Sequence, residues 1–154
     1  MYKVSFIHKC KISALLFILV MLIGIKKTIA QSSVFTATAS GAWTTTTIWS
    51  ESGTDVDNVP DADDDVIIPN TFTVSIGATT SINDLTVNGR LNWTAGTFAL
   101  TIRSGGTITV GASGLISKNS QAATEIILFD DNLPFIISNA GSIDMSGDLQ
   151  VDVN

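Results

Sequence analysis

The chain has 154 residues, with 8 basic and 14 acidic side chains, a net charge of −6, one histidine and one cysteine. Both His8 and Cys10 lie in the first ten residues, so the remainder has neither imidazole nor thiol. That excludes disulfide stapling, Cys- and His-ligated zinc and Ser–His or Cys–His nucleophile pairs there, and the acid excess excludes nucleic acid as a partner held by general electrostatics.

Met1 to Lys11 carries Lys3, Lys9 and Lys11 and no acid, an uncharged run from Ile12 to Ile25 follows, and Thr28-Ile29-Ala30 precedes Gln31. A basic start, an apolar run and small residues three and one before a cut are the layout of a secretory signal peptide. Residues 1–30 are therefore expected to be removed on export, leaving the protein secreted or at the cell surface. A transmembrane anchor is the alternative, and Lys26 and Lys27 keep it open. Against it, fourteen helical residues span about 21 Å, short of a roughly 30 Å hydrocarbon core. A lipoprotein signal does not fit, because Cys10 precedes the apolar run. Cleavage removes five lysines and no acid, so residues 31–154 keep 3 basic against 14 acidic residues, a net charge of −11. Such a surface admits neutral polysaccharide, cations or another surface protein as partners, not nucleic acid, and no membrane-spanning segment remains.

Residues 31–65 form a Trp/Thr/Asp-rich segment, read as irregular or edge structure. Trp43 and Trp49 flank Thr44-Thr45-Thr46-Thr47-Ile48. Two large aromatics at the start of a stacked β structure suit a cover over its first layer. The functional alternative is a sugar-stacking platform, with Trp93 as a third candidate. The stretch 54–65 carries Asp55, Asp57, Asp61, Asp63, Asp64 and Asp65. Carboxylates this dense make either a solvated turn or a loop held by a hard cation, with Asp61, Asp63, Asp64 and Asp65 as possible calcium ligands. The spacing matches neither an EF-hand nor a calcium β-roll. No catalytic, cofactor-binding or metal residue is assigned, and no cofactor is expected.

Residues 66–154 read as short strands broken by turns. Val66-Ile67-Ile68 stops at Pro69-Asn70; Phe72, Val74 and Ile76 alternate; Leu85, Val87, Leu91 and Trp93 continue around Asn88-Gly89. Phe98, Leu100 and Ile102 follow, then Ile108 with Val110, Leu115-Ile116, the apolar run 125–129 and Phe135-Ile136-Ile137. A phrase of glycine, any residue, branched apolar, polar, large apolar recurs at 89–93, 106–110, 141–145 and 147–151, with a shortened copy at 114–117. No helical periodicity follows residue 31, and Thr, Ile, Val, Gly, Ser and Asn dominate. The fold class is all-β. Two layouts compete: a right-handed parallel β-helix (solenoid), and an antiparallel β-sandwich of hairpins. The echoes favour the first: Leu85-Thr86-Val87 returns as Leu100-Thr101-Ile102, fifteen residues on, and the Gly-led phrase returns seventeen and then thirty-five residues on.

Ser40-Gly41-Ala42-Trp43, Ile48-Trp49, the run 59–69 (Val-Pro-Asp-Ala-Asp-Asp-Asp-Val-Ile-Ile-Pro), Val74 and Leu85-Thr86-Val87-Asn88-Gly89-Arg90-Leu91 together resemble the opening of large secreted surface proteins of Bacteroidota. They also resemble the extracellular domain named for its eight glycines. The resemblance covers about residues 38–117 and implies a right-handed parallel β-helix in exported adhesin-like or polysaccharide-associated proteins. Such proteins run longer and often end in a sorting domain, so the coils of 66–154 are expected to be truncated at the C-terminus.

Three functions follow as expectations. The first is a non-catalytic surface solenoid serving as stalk, adhesin or scaffold. The second is a carbohydrate- or calcium-binding module of a polysaccharide-associated protein. The third is a polysaccharide-cleaving enzyme, with Asp130, Asp131, Asp144 and Asp148 as the formally available carboxylates and Arg90, Arg103 and Lys118 as the cations; aspartates at turns are more often turn formers, which weighs against it. Ice binding needs a regular Thr-x-Thr ladder, which the chain lacks.

Overall fold

The computed structural model describes residues 32–55, 57–94, 96–118, 123–129, 136–144 and 150–153. The expected signal peptide and Asp130, Asp131 and Asp148 lie outside the described residues. Among those described, no helix is long and apolar enough to cross a membrane.

The fold is all-β, and among the described residues the one helical turn is a 3₁₀ turn at Thr46–Ile48. The strands are β1 (Val34–Ala37), β2 (Gly41–Ala42), β3 (Trp49–Ser52), β4 (Asp65–Ile68), β5 (Thr73–Ile76), β6 (Thr80–Ile82), β7 (Leu85–Val87) and β8 (Arg90–Trp93). They continue as β9 (Gly96–Ile102), β10 (Thr107–Val110), β11 (Leu115–Lys118), β12 (Ala123–Phe129), β13 (Ile136–Asn139), β14 (Ser142–Asp144) and β15 (Gln150–Val153).

From β4 onward each sheet takes every third strand. The first sheet runs β13-β10-β7-β4-β1-β3, the second β14-β11-β8-β5-β2 and the third β15-β12-β9-β6. All pairings are parallel except β1 with β3. The antiparallel sandwich fails on this point, since its hairpins would make sequence neighbours pair antiparallel. Three consecutive strands, one per sheet, make one layer, and successive layers pair in register.

Register turns alternation into a core. In the first sheet Phe35 pairs with Val66, Val66 with Leu85, Leu85 with Ile108 and Ile108 with Ile137. Leu91 and Ile116 line the second sheet, Ile82 and Ile102 the third, and all four are fully buried. Each such side chain contributes about 1.5–3 kcal/mol of burial before ordering entropy is counted.

The stacking period differs from the sequence echoes. Leu85–Val87 and Leu100–Ile102 belong to different sheets, so their fifteen-residue spacing is not a layer. The copies that stack are 89–93, 114–117 and 141–144: Leu91 pairs with Ile116 and Ile116 with Ile143, 25 and 27 residues apart. Among the parallel pairs, register partners lie from 17 residues apart (Val74 and Leu91) to 33 (Gly41 and Val74). No fixed period exists because the turns between strands differ in length.

The corner between the first and second sheets shows how. It takes four residues after β4 (69–72), two after β7 (88–89), four after β10 (111–114) and two after β13 (140–141). The four-residue corners close as β-turns, with Phe72 N donating to Pro69 O (3.1 Å) and Gly114 N to Gly111 O (2.7 Å). Each two-residue corner then lays its glycine against the carbonyls of the turn below. A Cβ on Gly89 would collide with the carbonyl oxygens of Pro69 and Phe72, and one on Gly141 with those of Gly111 and Gly114. Glycine is needed here for close approach, not for a left-handed φ. Backbone bonds carry the corner from layer to layer: Asn88 N to Ile68 O, Gly111 N to Val87 O and Ala140 N to Val110 O, all 2.8–2.9 Å.

Candidate functional site

The acidic loop lies at the N-terminal end of the stack, where β1, β3 and β4 meet. β4 enters its sheet beside β1, which places Asp64 next to Ser33. Ser33 N donates to Asp64 Oδ1 (2.9 Å) and Asp61 N to Asp64 Oδ2 (2.9 Å). Asp64 and Ser33 are both buried. The Ser33 hydroxyl donates to Glu51 Oε1 (2.9 Å), and Asp55 N donates to the same oxygen (2.9 Å) and to Ser33 Oγ (3.2 Å). The chain between β3 and β4 thus folds back on itself. It brings carboxylate oxygens of Asp55, Asp57 and Asp64 within 4.8 Å of one another.

Crowding and partial loss of solvent shift the protonation of this loop. Burial pushes the Asp64 carboxyl up from 3.8 to about 6; its two backbone N–H bonds oppose the shift, and the charges of Asp55 and Asp61 add to it. Loss of water also raises Asp57, helped by a hydrogen bond with Asp55. Asp63 rises for the same first reason, with a hydrogen bond to Asp61 second. Asp63 Oδ2 is buried without a hydrogen-bond partner, a cost that protonation reduces.

Only part of the expected calcium set comes together. Asp64 is in the cluster, but its partners there are Asp55 and Asp57 rather than Asp61, Asp63 and Asp65. Asp65, the first residue of β4, faces the opposite side from the buried Asp64 before it, and accepts from Asn83 Nδ2 (2.8 Å). Asp61 Oδ1 accepts from Asp63 N (3.3 Å) as a turn residue. Three carboxylates fall short of the six to eight oxygens calcium takes unless carbonyls or water complete the shell.

The tryptophans are not a sugar platform. Trp43, Trp49 and Trp93 are 2 %, 9 % and 0 % exposed, leaving no ring face for a glycan. Trp43 and Trp49 meet edge-on with centroids 5.4 Å apart, and Phe35 abuts Trp49 at 6.4 Å. Their indoles are committed: Trp49 Nε1 donates to Trp43 O (2.8 Å), Trp43 Nε1 to Pro60 O (3.4 Å) and Trp93 Nε1 to Phe98 O (3.0 Å).

Of the groups considered for catalysis, Asp144, Arg90, Arg103 and Lys118 are among the described residues. Asp144 is exposed on β14, Arg90 Nε donates to Ser117 Oγ (3.1 Å), and Arg103 is exposed at a turn of another corner. Compared with known proteins, the chain matches no family model, no curated protein and no solved structure.

Proposed function

We propose that this protein is an exported cell-surface module, a right-handed parallel β-helix with a structural or adhesive role and no catalysis. One observation carries the reading: from β4 onward every third strand joins the same sheet, in parallel and in register, with apolar side chains stacked inward. A strand that crosses over to a parallel neighbour in the same sheet does so right-handed almost without exception, which supports a right-handed coil. Outward positions carry short polar residues such as Thr73, Ser75, Thr86, Thr101, Thr107 and Thr109, a surface suited to a stalk in water. The signal-like segment 1–30 and the resemblance to secreted Bacteroidota surface proteins support export.

Calcium binding is the weaker reading. The hydrogen bonds that Asp57 and Asp64 accept from Val59, Ser33 and Asp61 already account for their placement.

Export is tested by sequencing the N-terminus of protein recovered from the cell surface or medium after expression of the full chain. A product beginning at Gln31 is expected. A product that keeps residues 1–30 and stays in the membrane fraction would overturn export by cleavage.

A further inference from the structure

The alternation of corner lengths leaves a notch. The two-residue corner at Asn88-Gly89 is flanked by the four-residue corners 69–72 and 111–114, which project further on both sides. The flanking corners are two strand spacings apart, about 9.5 Å. The result is an open cleft of about 350 Å³, lined by Pro69, Asn70, Asn88, Ala112 and Ser113. Asn88 forms its floor: a Cβ on Gly111 would strike Asn88 Oδ1, so the glycine gives that amide room to lie along the next layer. The corner at 140–141, also short, follows the last described strand of its sheet and, among the described residues, has a four-residue corner on one side only.

The chemistry of the lining narrows the ligand. The side-chain amides of Asn70 and Asn88 and the Ser113 hydroxyl have no hydrogen-bond partner among the described residues, and no lining residue is charged. Each amide offers two donors and a two-lone-pair acceptor, a set that matches vicinal hydroxyls. Pro69 and Ala112 supply apolar surface for the C–H face of a ring. A protein carrying −11 beyond residue 30 repels acidic ligands.

We infer that the notch at Pro69, Asn70, Asn88, Ala112 and Ser113 binds one residue of a neutral, hydroxyl-rich glycan. This rests on the stacked-layer reading, since only in-register corners form the notch.

The test is by NMR on the ¹⁵N-labelled protein purified after export of the full chain. Cello-, malto-, laminari-, manno- and xylo-oligosaccharides, and an oligogalacturonide, are added up to about 10 mM, enough to see affinities in the millimolar range. At least one neutral oligosaccharide should shift the side-chain NH₂ signals of Asn70 and Asn88. Asn70→Ala and Asn88→Ala should each weaken that binding by about tenfold. Asn70 is exposed, so its variant keeps the fold even if Asn88→Ala disturbs the corner. The proposal is overturned if no neutral oligosaccharide moves those signals, if the oligogalacturonide alone does, or if neither variant weakens binding. Amide-exchange protection of β7, β8 and β10 in the same samples reports the stacking separately: protection without binding defeats the notch and leaves the fold reading intact.

Discussion

The two ends of the stack treat the same column of residues differently. Phe35, Val66, Leu85 and Ile108 follow one another in register and are all at most 1 % exposed, whereas Ile137, next in line, is 37 % exposed and its neighbour Ile136 59 %. At the first end β3 runs antiparallel along the outer edge of β1, and Trp43, Ile48 and Trp49 close over Phe35. Among the described strands, β13 is the last of its sheet and has a neighbour on one side only. Among the described residues, burial in this column therefore follows the presence of a paired strand on each side rather than the residue type.

The contrast breaks most completely in the middle. Ile108→Asp places a carboxylate between two apolar layers with no partner, and the cooperative melting transition should be lost; a variant melting within a few degrees of the parent would show that Ile108 is not in a core. At the covered end, Phe35→Ala should cost about 3–5 kcal/mol in denaturant unfolding, from lost burial and the cavity left under Trp49.

Acid sharpens the comparison because, among the described residues, the carboxylates with raised proton affinity all lie at the covered end. Asp64 binds its proton more tightly folded (about 6) than at its ordinary value of 3.8. Between those values the folded state holds more protons than the unfolded, so stability falls as pH rises through the window. Asp57 and Asp63 push the same way. The melting temperature should therefore rise on going from pH 7 to pH 4, and Asp64→Asn should flatten the rise. The smallest effect belongs to the open end: Ile137→Ala should cost less than about 1 kcal/mol by the same unfolding measurement.

Strands were legible wherever two or more apolar residues alternated, as in Val74 with Ile76 or Ile108 with Val110. β6 was missed because Thr80-Ser81-Ile82 offers a single apolar side chain, and β1 because Val34 and Phe35 are adjacent apolar residues and the buried set Phe35/Ala37 ends on a small alanine, which blurs the alternation. The layer order was illegible for a different reason. Matching phrases identifies similar strands, but stacking depends on corner length, and corners of two and four residues destroy any fixed spacing. The acidic stretch was visible as composition, yet which carboxylates meet depends on a loop folding back from β3 to β4. The notch had a signal, the alternation of Pro69–Phe72, Asn88-Gly89 and Gly111–Gly114, which has meaning only once the layers are in order.

The stacking order is tested most directly by engineered disulfides, since residues 31–154 contain no cysteine. Thr86 pairs with Thr109 across β7 and β10, with Cα atoms about 4.8 Å apart, inside the 4.4–6.8 Å range a disulfide spans. Thr86→Cys with Thr109→Cys should cross-link quantitatively on mild oxidation, while Thr86→Cys with Thr101→Cys, partners in the fifteen-residue echo, should remain reduced. Cross-linking of the second pair and not the first would contradict the layer order and with it the proposed solenoid.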